Sequence, residues 1–176
     1  MMKILSYIYW LGFAVVLYCF SVQSYTLWTE YHIILPIVRI ELSHAVEGRC
    51  LFAQLSATPV GSHTMLDEVL YNTRVDCFFI ICYVILLMRL TYGRMQKEPS
   101  LYLNMLLRIN IVLAVIAGLL DYVENNLIFY NLAHALTDKS YLSPHWYALI
   151  KFILLVWILL VWLFSKSGVY PGKKRS

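Results

Sequence analysis

The chain has 176 residues, 61% of them hydrophobic, and a mean hydropathy of +0.68. A soluble domain of this size does not carry so much apolar surface, so the composition points to the membrane class. Only 14% of residues are charged and they gather at the ends of apolar stretches, so the net charge of +4 is a topology signal and not a nucleic-acid footprint.

Four apolar stretches approach the roughly 20 helical residues needed to cross a bilayer core. The first, about 4–22, follows Lys3. It has the outline of a signal peptide, but no small-x-small cleavage site follows it and bulky side chains fill residues 15–22, which favours a retained helix. The long segment 23–72 comes next. In it Ile34, Val38, Leu42 and Ala45 recur near helical spacing, with Glu41 and Glu47 interleaved. This predicts a short amphipathic helix over 36–47, ended by Gly48 and lying on the bundle or the membrane surface. SATPVGS, residues 56–62, reads as a loop. Thr64-Met65-Leu66-Asp67 reads as a capping box, which would start the second helix ahead of its span at about 73–92. Pro99-Ser100 suits the start of the third helix, about 101–130. Ser143-Pro144 supplies an N-cap and a first-turn proline for the fourth, about 145–165, and Gly168 and Pro171 end it.

Orientation follows from the basic residues. Lys3, the group Arg89, Arg94, Lys97 and Arg108, and the tail Lys166, Lys173, Lys174 and Arg175 lie at one set of ends. Arg39, Arg49, Arg74 and Lys139 are spread over the other. Both termini and the 91–102 link are therefore expected to be cytoplasmic, with 23–72 and 131–143 outside. The expected fold is all-α: a single polytopic membrane domain, a four-transmembrane-helix bundle with a short amphipathic helix in the outer loop and a basic tail at 166–176. Fourteen tyrosines and five tryptophans suit two membrane–water interfaces.

The third helix contains the sequence's one costly feature, GLLDYVENNL at residues 118–127. At about 100° per residue, Asn110, Ala114, Ala117, Gly118, Asp121, Glu124 and Asn125 share one stripe, while Leu120, Val123 and Leu127 lie opposite with Asn126 near their edge. Small residues permit close helix approach, and membrane acids face the bundle interior or a wet cavity, so both signals select the same buried face. Lys151, early in the fourth helix, matches the depth of Glu124 and is the expected partner of Glu124 or Asp121. Asp76 and Arg74 on the second helix, Arg49 and His44 from the loop, and His145 are placed to reach the same region. Two readings stand: the cluster is glue between helices, or it is a ligand, proton or substrate site.

Other chemistry is weaker. Cys19, Cys50, Cys77 and Cys82 form no CxxC, and the five histidines share no i, i+4 step, so no metal site and no cofactor are expected. Cys50 and Cys77 are either a disulfide or separate small hydrophobes. Ser43, Ser62 and Ser143 adjoin His44, His63 and His145 in sequence, which does not make a triad. There is no phosphate loop.

An outer-loop EGRxxF (Glu47, Gly48, Arg49, Phe52), Asp76, the LDxxEN of helix three (Leu120, Asp121, Glu124, Asn125) and a lysine early in helix four (Lys151) resemble a group of uncharacterised bacterial four-helix integral membrane proteins. The resemblance runs from about residue 47 onward. It implies a multi-pass bacterial inner-membrane protein and treats the polar cluster as one unit, with no activity attached.

The leading functional expectation is a non-enzymatic inner-membrane component. Its outward-facing polar core, built from Asp121, Glu124, Asn125 and Lys151 with Arg49 and Asp76 around them, would bind a small ligand, a lipid or a partner helix. Expected partners are the bilayer and a second copy or another membrane protein, with no nucleic acid. The alternatives are an enzyme acting on a lipid-linked substrate with Asp121 or Glu124 as acid/base, and a defence or immunity-type membrane effector. Transport would require oligomers, since four helices without a repeat or a broken pair make no transporter core.

Overall fold

A computed structural model describes residues 10–15, 17, 18, 21, 25, 28, 36–134 and 141–167. From residue 36 onward the described elements are α1 (Pro36–Glu41), α2 (Ala45–Ala57), the two-residue strands β1 (Pro59–Val60) and β2 (His63–Thr64), α3 (Met65–Met95), α4 (Leu101–His134) and α5 (His145–Ser167). The fold is all-α, and α3, α4 and α5 are long and apolar enough to cross a membrane. Of the first expected span, residues 10–15, 17, 18 and 21 are helical and the others lie outside the described residues, as does the tail beyond 167.

Local chemistry sets the starts of the long helices. Asp67 N donates to Thr64 Oγ1 (3.4 Å) while Thr64 N donates to Asp67 Oδ2 (2.8 Å), closing the capping box expected from the sequence. These hydrogen bonds, from the Thr64 backbone and then its side chain, hold the exposed Asp67 carboxyl below its ordinary range. At α4, Leu103 N donates to Ser100 Oγ (3.4 Å) and Ser100 N to Glu98 Oε1 (3.0 Å). At α5, Tyr147 N and Ala148 N donate to the Pro144 carbonyl.

α4 is the central helix and packs against both α3 and α5. Its close approach to α3 uses Gly118, where a Cβ would sit 2.5 Å from Val84 Cγ2. One apolar core, Ile80, Tyr83, Leu87, Ala114 and Ile158, joins the three helices, and Phe13 packs against it, stacked on Phe79 at 5.6 Å. At the basic end, Arg94 forms an ion pair with Glu98 (2.7 Å), donates from Nε to Ser165 Oγ (3.1 Å) and also bonds the Ser165 carbonyl, tying α3 to α5.

The other end is capped, and here the structure corrects the sequence reading in three places. The expected amphipathic helix over 36–47 is two helices. The chain breaks at Leu42–His44 because Ser43 satisfies the frayed turn itself: its Oγ donates to the Ile40 carbonyl and lies 2.8 Å from Tyr141 Oη. Nor does Gly48 end a helix. It sits inside α2, where any Cβ would overlap the Tyr141 ring, so glycine there is a packing requirement. The 56–62 stretch is no simple loop either, since Pro59 pairs with Thr64 and Val60 with His63 around Gly61 at φ +58°. The cap has its own core of Ile40, Leu51, Phe52, Leu55, Met65, Val69, Ile128 and Tyr141. Asn131 clamps the 141–144 segment by exchanging two hydrogen bonds with the Leu142 backbone, and Ser143 Oγ donates to the Ser43 carbonyl.

Candidate functional site

The stripe read from helical periodicity is the buried face of α4: Asn110, Ala114, Ala117, Gly118, Asp121, Glu124 and Asn125 are all buried, and so is Ile128 next along that face. Asn126 is exposed and its amide donates back to the Tyr122 carbonyl, while Val123 is exposed opposite the stripe.

Lys151 reaches this face from α5. Its Nζ lies 2.8 Å from Asp121 Oδ1, 2.9 Å from Glu124 Oε2 and 3.5 Å from Glu41 Oε2. All four residues are nearly inaccessible, at 4% for Lys151, 5% for Asp121, 0% for Glu124 and 6% for Glu41. Lys151 is six residues into α5, which puts its Cα about 9 Å along the axis from that helix's start. The cluster therefore lies just beneath the cap, not at the middle of the bundle.

Two members escape the sequence reading. Glu41, the last residue of α1, is the group that the loop brings to Lys151, whereas Arg49 lies exposed on α2. Periodicity gave Glu41 only as a polar residue of a surface helix, and no local signal says that the helix end turns inward. Tyr83 did leave a signal. Asp76, Ile80, Tyr83 and Leu87 recur at steps of four, three and four along α3, which puts Tyr83 on the same face as Asp76. Its hydroxyl donates to Asp121 Oδ2 at 2.8 Å.

Asp76 and Asn125 form a neighbouring pair, the amide donating to Asp76 Oδ2 at 2.8 Å and contacting Cys77 Sγ at 3.7 Å. Arg74 is exposed on α3. His44 and His145 lie against each other, ring centroids 4.2 Å apart, with His145 Nδ1 2.7 Å from the Leu42 carbonyl oxygen, so they belong to the cap. Cys50 and Cys77 are free thiols and form no disulfide with each other, with Cys50 exposed.

The charges do not balance. Three carboxyl groups surround one ammonium, and unpaired charge in such a buried setting is costly. Burial pushes the Glu41 carboxyl well above the usual range; Lys151 opposes this, while Glu124, Asp121 and Asp76 reinforce it. The acids also differ in what they have left to offer. Asp121 is engaged on both oxygens, by Lys151 and by Tyr83. Glu124 has its Oε2 beside Lys151, but neither of its oxygens accepts a well-aligned hydrogen bond. It is the acid with spare acceptor capacity. Lys151 fills the space between the acids, and among the described residues no His, Cys, Asp and Glu side chains group as a metal site.

Compared with protein-family models, with curated proteins and with solved structures, the chain matches none.

Proposed function

We propose that this is a non-enzymatic, multi-pass protein of the bacterial inner membrane. Its outward-facing polar core receives the cationic group of a small ligand, a lipid head group or a partner helix. Residues 4–22 supply the fourth spanning helix alongside α3, α4 and α5; the stacking of Phe13 on Phe79 supports that place. Both termini and the α3–α4 link are cytoplasmic, because Arg89, Arg94, Lys97, Arg108 and Lys166 gather at that end.

One observation carries the reading. Glu124 is fully buried with acceptor capacity to spare, in a cluster that holds more acid than base. A site built only to join helices is best served by matched partners, since each unsatisfied buried group costs about 1–3 kcal/mol. An excess of carboxylate selects a cation, and Asp121, Glu124, Asn125 and Lys151 form its walls, with Asp76 behind Asn125 and Arg49 at the exposed surface of the cap. Catalysis gains less support: Lys151 is surrounded by three acids, and each Asp121 oxygen already has a partner, Lys151 on one and Tyr83 on the other.

The test uses purified protein in nanodiscs containing equal amounts of an ethanolamine-headed and a glycerol-headed phospholipid, followed by native mass spectrometry. Ethylammonium chloride serves as the free amine. Wild-type protein should retain the ethanolamine lipid, or lose it to ethylammonium, and Glu124→Gln should weaken that retention about tenfold, or roughly 1.4 kcal/mol. Equal retention of both lipids by both proteins, with no effect of ethylammonium, rejects the reading.

A further inference from the structure

Glu41 and Glu124 come from different parts of the fold, one from the end of a six-residue cap helix and the other from the central helix α4, yet both approach the same Lys151 Nζ. Asp121 already takes the third position on that ammonium and a hydroxyl from Tyr83. Facing the two glutamates are therefore Lys151 from α5, Asp121 from α4, and Asp76 and Tyr83 from α3. If every acid that touches Lys151 were ionised, three negative charges would meet one positive charge, with no solvent contact at Glu124. The smallest cation that relieves this without needing any space is a proton. Glu124 has acceptor capacity for it, with neither oxygen in a well-aligned hydrogen bond.

We infer that the capped end of the bundle is a proton-binding site in which Glu41 and Glu124 hold one proton between them, and that this proton latches α1 onto the bundle. In the latched state one of the two carboxyls is neutral and directs its O–H at the other, so Lys151 faces two negative charges, that glutamate and Asp121, instead of three. Loss of the proton returns three carboxylates to a single ammonium, with the two glutamates facing each other across it. The repulsion is relieved by moving Glu41, the end residue of the six-residue α1, against the hold of the buried Ile40 beside it. Helix α4 cannot move Glu124 without unpacking the core, because Gly118 of the same face packs against Val84 and Ile80 of α3 and Ala117 beside it is buried.

The Glu41 carboxyl binds its proton more tightly when docked than when free, so docking is strongest below the ordinary glutamate range and weakens as pH rises through the elevated value. This inference goes beyond the cation-binding reading and does not depend on it, since it requires no ligand other than the proton.

Infrared difference spectroscopy on the reconstituted wild-type protein tests it directly. A carbonyl band of a neutral, buried carboxyl should persist at neutral pH, shift on deuteration and disappear on alkaline titration. Glu41→Gln and Glu124→Gln should each abolish the band. Hydrogen exchange of the α1 amides, corrected for intrinsic rate, should accelerate at least tenfold across the same titration in wild type and stay slow in Glu41→Gln, whose amide stays neutral at every pH. Absence of the band in wild type at neutral pH overturns the inference, and that measurement needs no variant to fold. A band that survives both substitutions also overturns it, as does α1 exchange that is independent of pH.

Discussion

Lys151 is the residue on which the buried cluster turns, because it neutralises part of the charge of three acids drawn from two helices. Removing it strands them. Lys151→Met should destabilise the protein by about 3–5 kcal/mol, the range for a buried charge left without its partner. Adding Glu41→Gln, Asp121→Asn and Glu124→Gln should restore most of that loss, because the penalty lies in the uncompensated carboxylates and not in lost packing. Titration of purified protein from mild detergent into a denaturing one measures both, and a Lys151→Met protein as stable as wild type would refute the charge argument. Tyr83→Phe removes one hydrogen bond to a buried carboxyl and should cost less, about 1–3 kcal/mol in the same assay. Asp121, Glu124 and Lys151 are legible in the sequence because helical angle and depth are local arithmetic. Glu41 is not, since its role depends on where a loop helix docks.

Two glycines and one cap decide how the elements meet. Gly118 lets α4 approach α3, and Gly118→Val should separate the pair, with partial recovery when Val84→Ala removes the side chain it would strike. A thermal unfolding series on the two single variants and the double variant reads the coupling, and additivity would show that the two positions do not share the space. Gly48→Ala has no such remedy, because the obstacle is the ring of Tyr141, itself held by Ser43. At the start of α3, Thr64→Ala should cost about 1 kcal/mol near neutral pH. The Asp67 carboxyl is held below its ordinary range by Thr64, so the capping contribution is present above that range and fades as acid protonates the group. The cost of Thr64→Ala should therefore shrink in acid, and unfolding at two pH values checks it. The capping box was readable because it is a four-residue pattern. The break between α1 and α2 was not, because Ser43 is satisfied partly by Tyr141, 98 residues away.

Across the whole molecule, two unlike ends are joined by an apolar middle. One end is basic and fastened by Arg94 between Glu98 and Ser165; the other is a cap of short helices and a hairpin set over buried acids. The proposed orientation puts the cap outside. Cys50, exposed on α2, should then react in intact cells with a maleimide that cannot cross membranes, while the buried Cys82 stays unmodified. Labelling of Cys50 only after the membrane is opened would reverse the topology. The groove of about 530 Å³ between α4 and α5 near the basic end is lined by Leu103, Leu106, Trp157, Leu160 and Phe164, an apolar surface suited to lipid tails.

The sequence by itself determined the helical class, the three long apolar helices and the inward face of α4, because hydropathy and a 3.6-residue period act over neighbouring positions. It also placed Lys151 at the right depth for Asp121 and Glu124, since rise per residue converts position into height. Only the tertiary structure decided that the loop folds back as two helices, that Gly48 yields its space to Tyr141 and that Glu41 is the third acid on Lys151. Those contacts join residues from about 90 to 110 positions apart, where side-chain shape and satisfied hydrogen bonds, not periodicity, choose the partner.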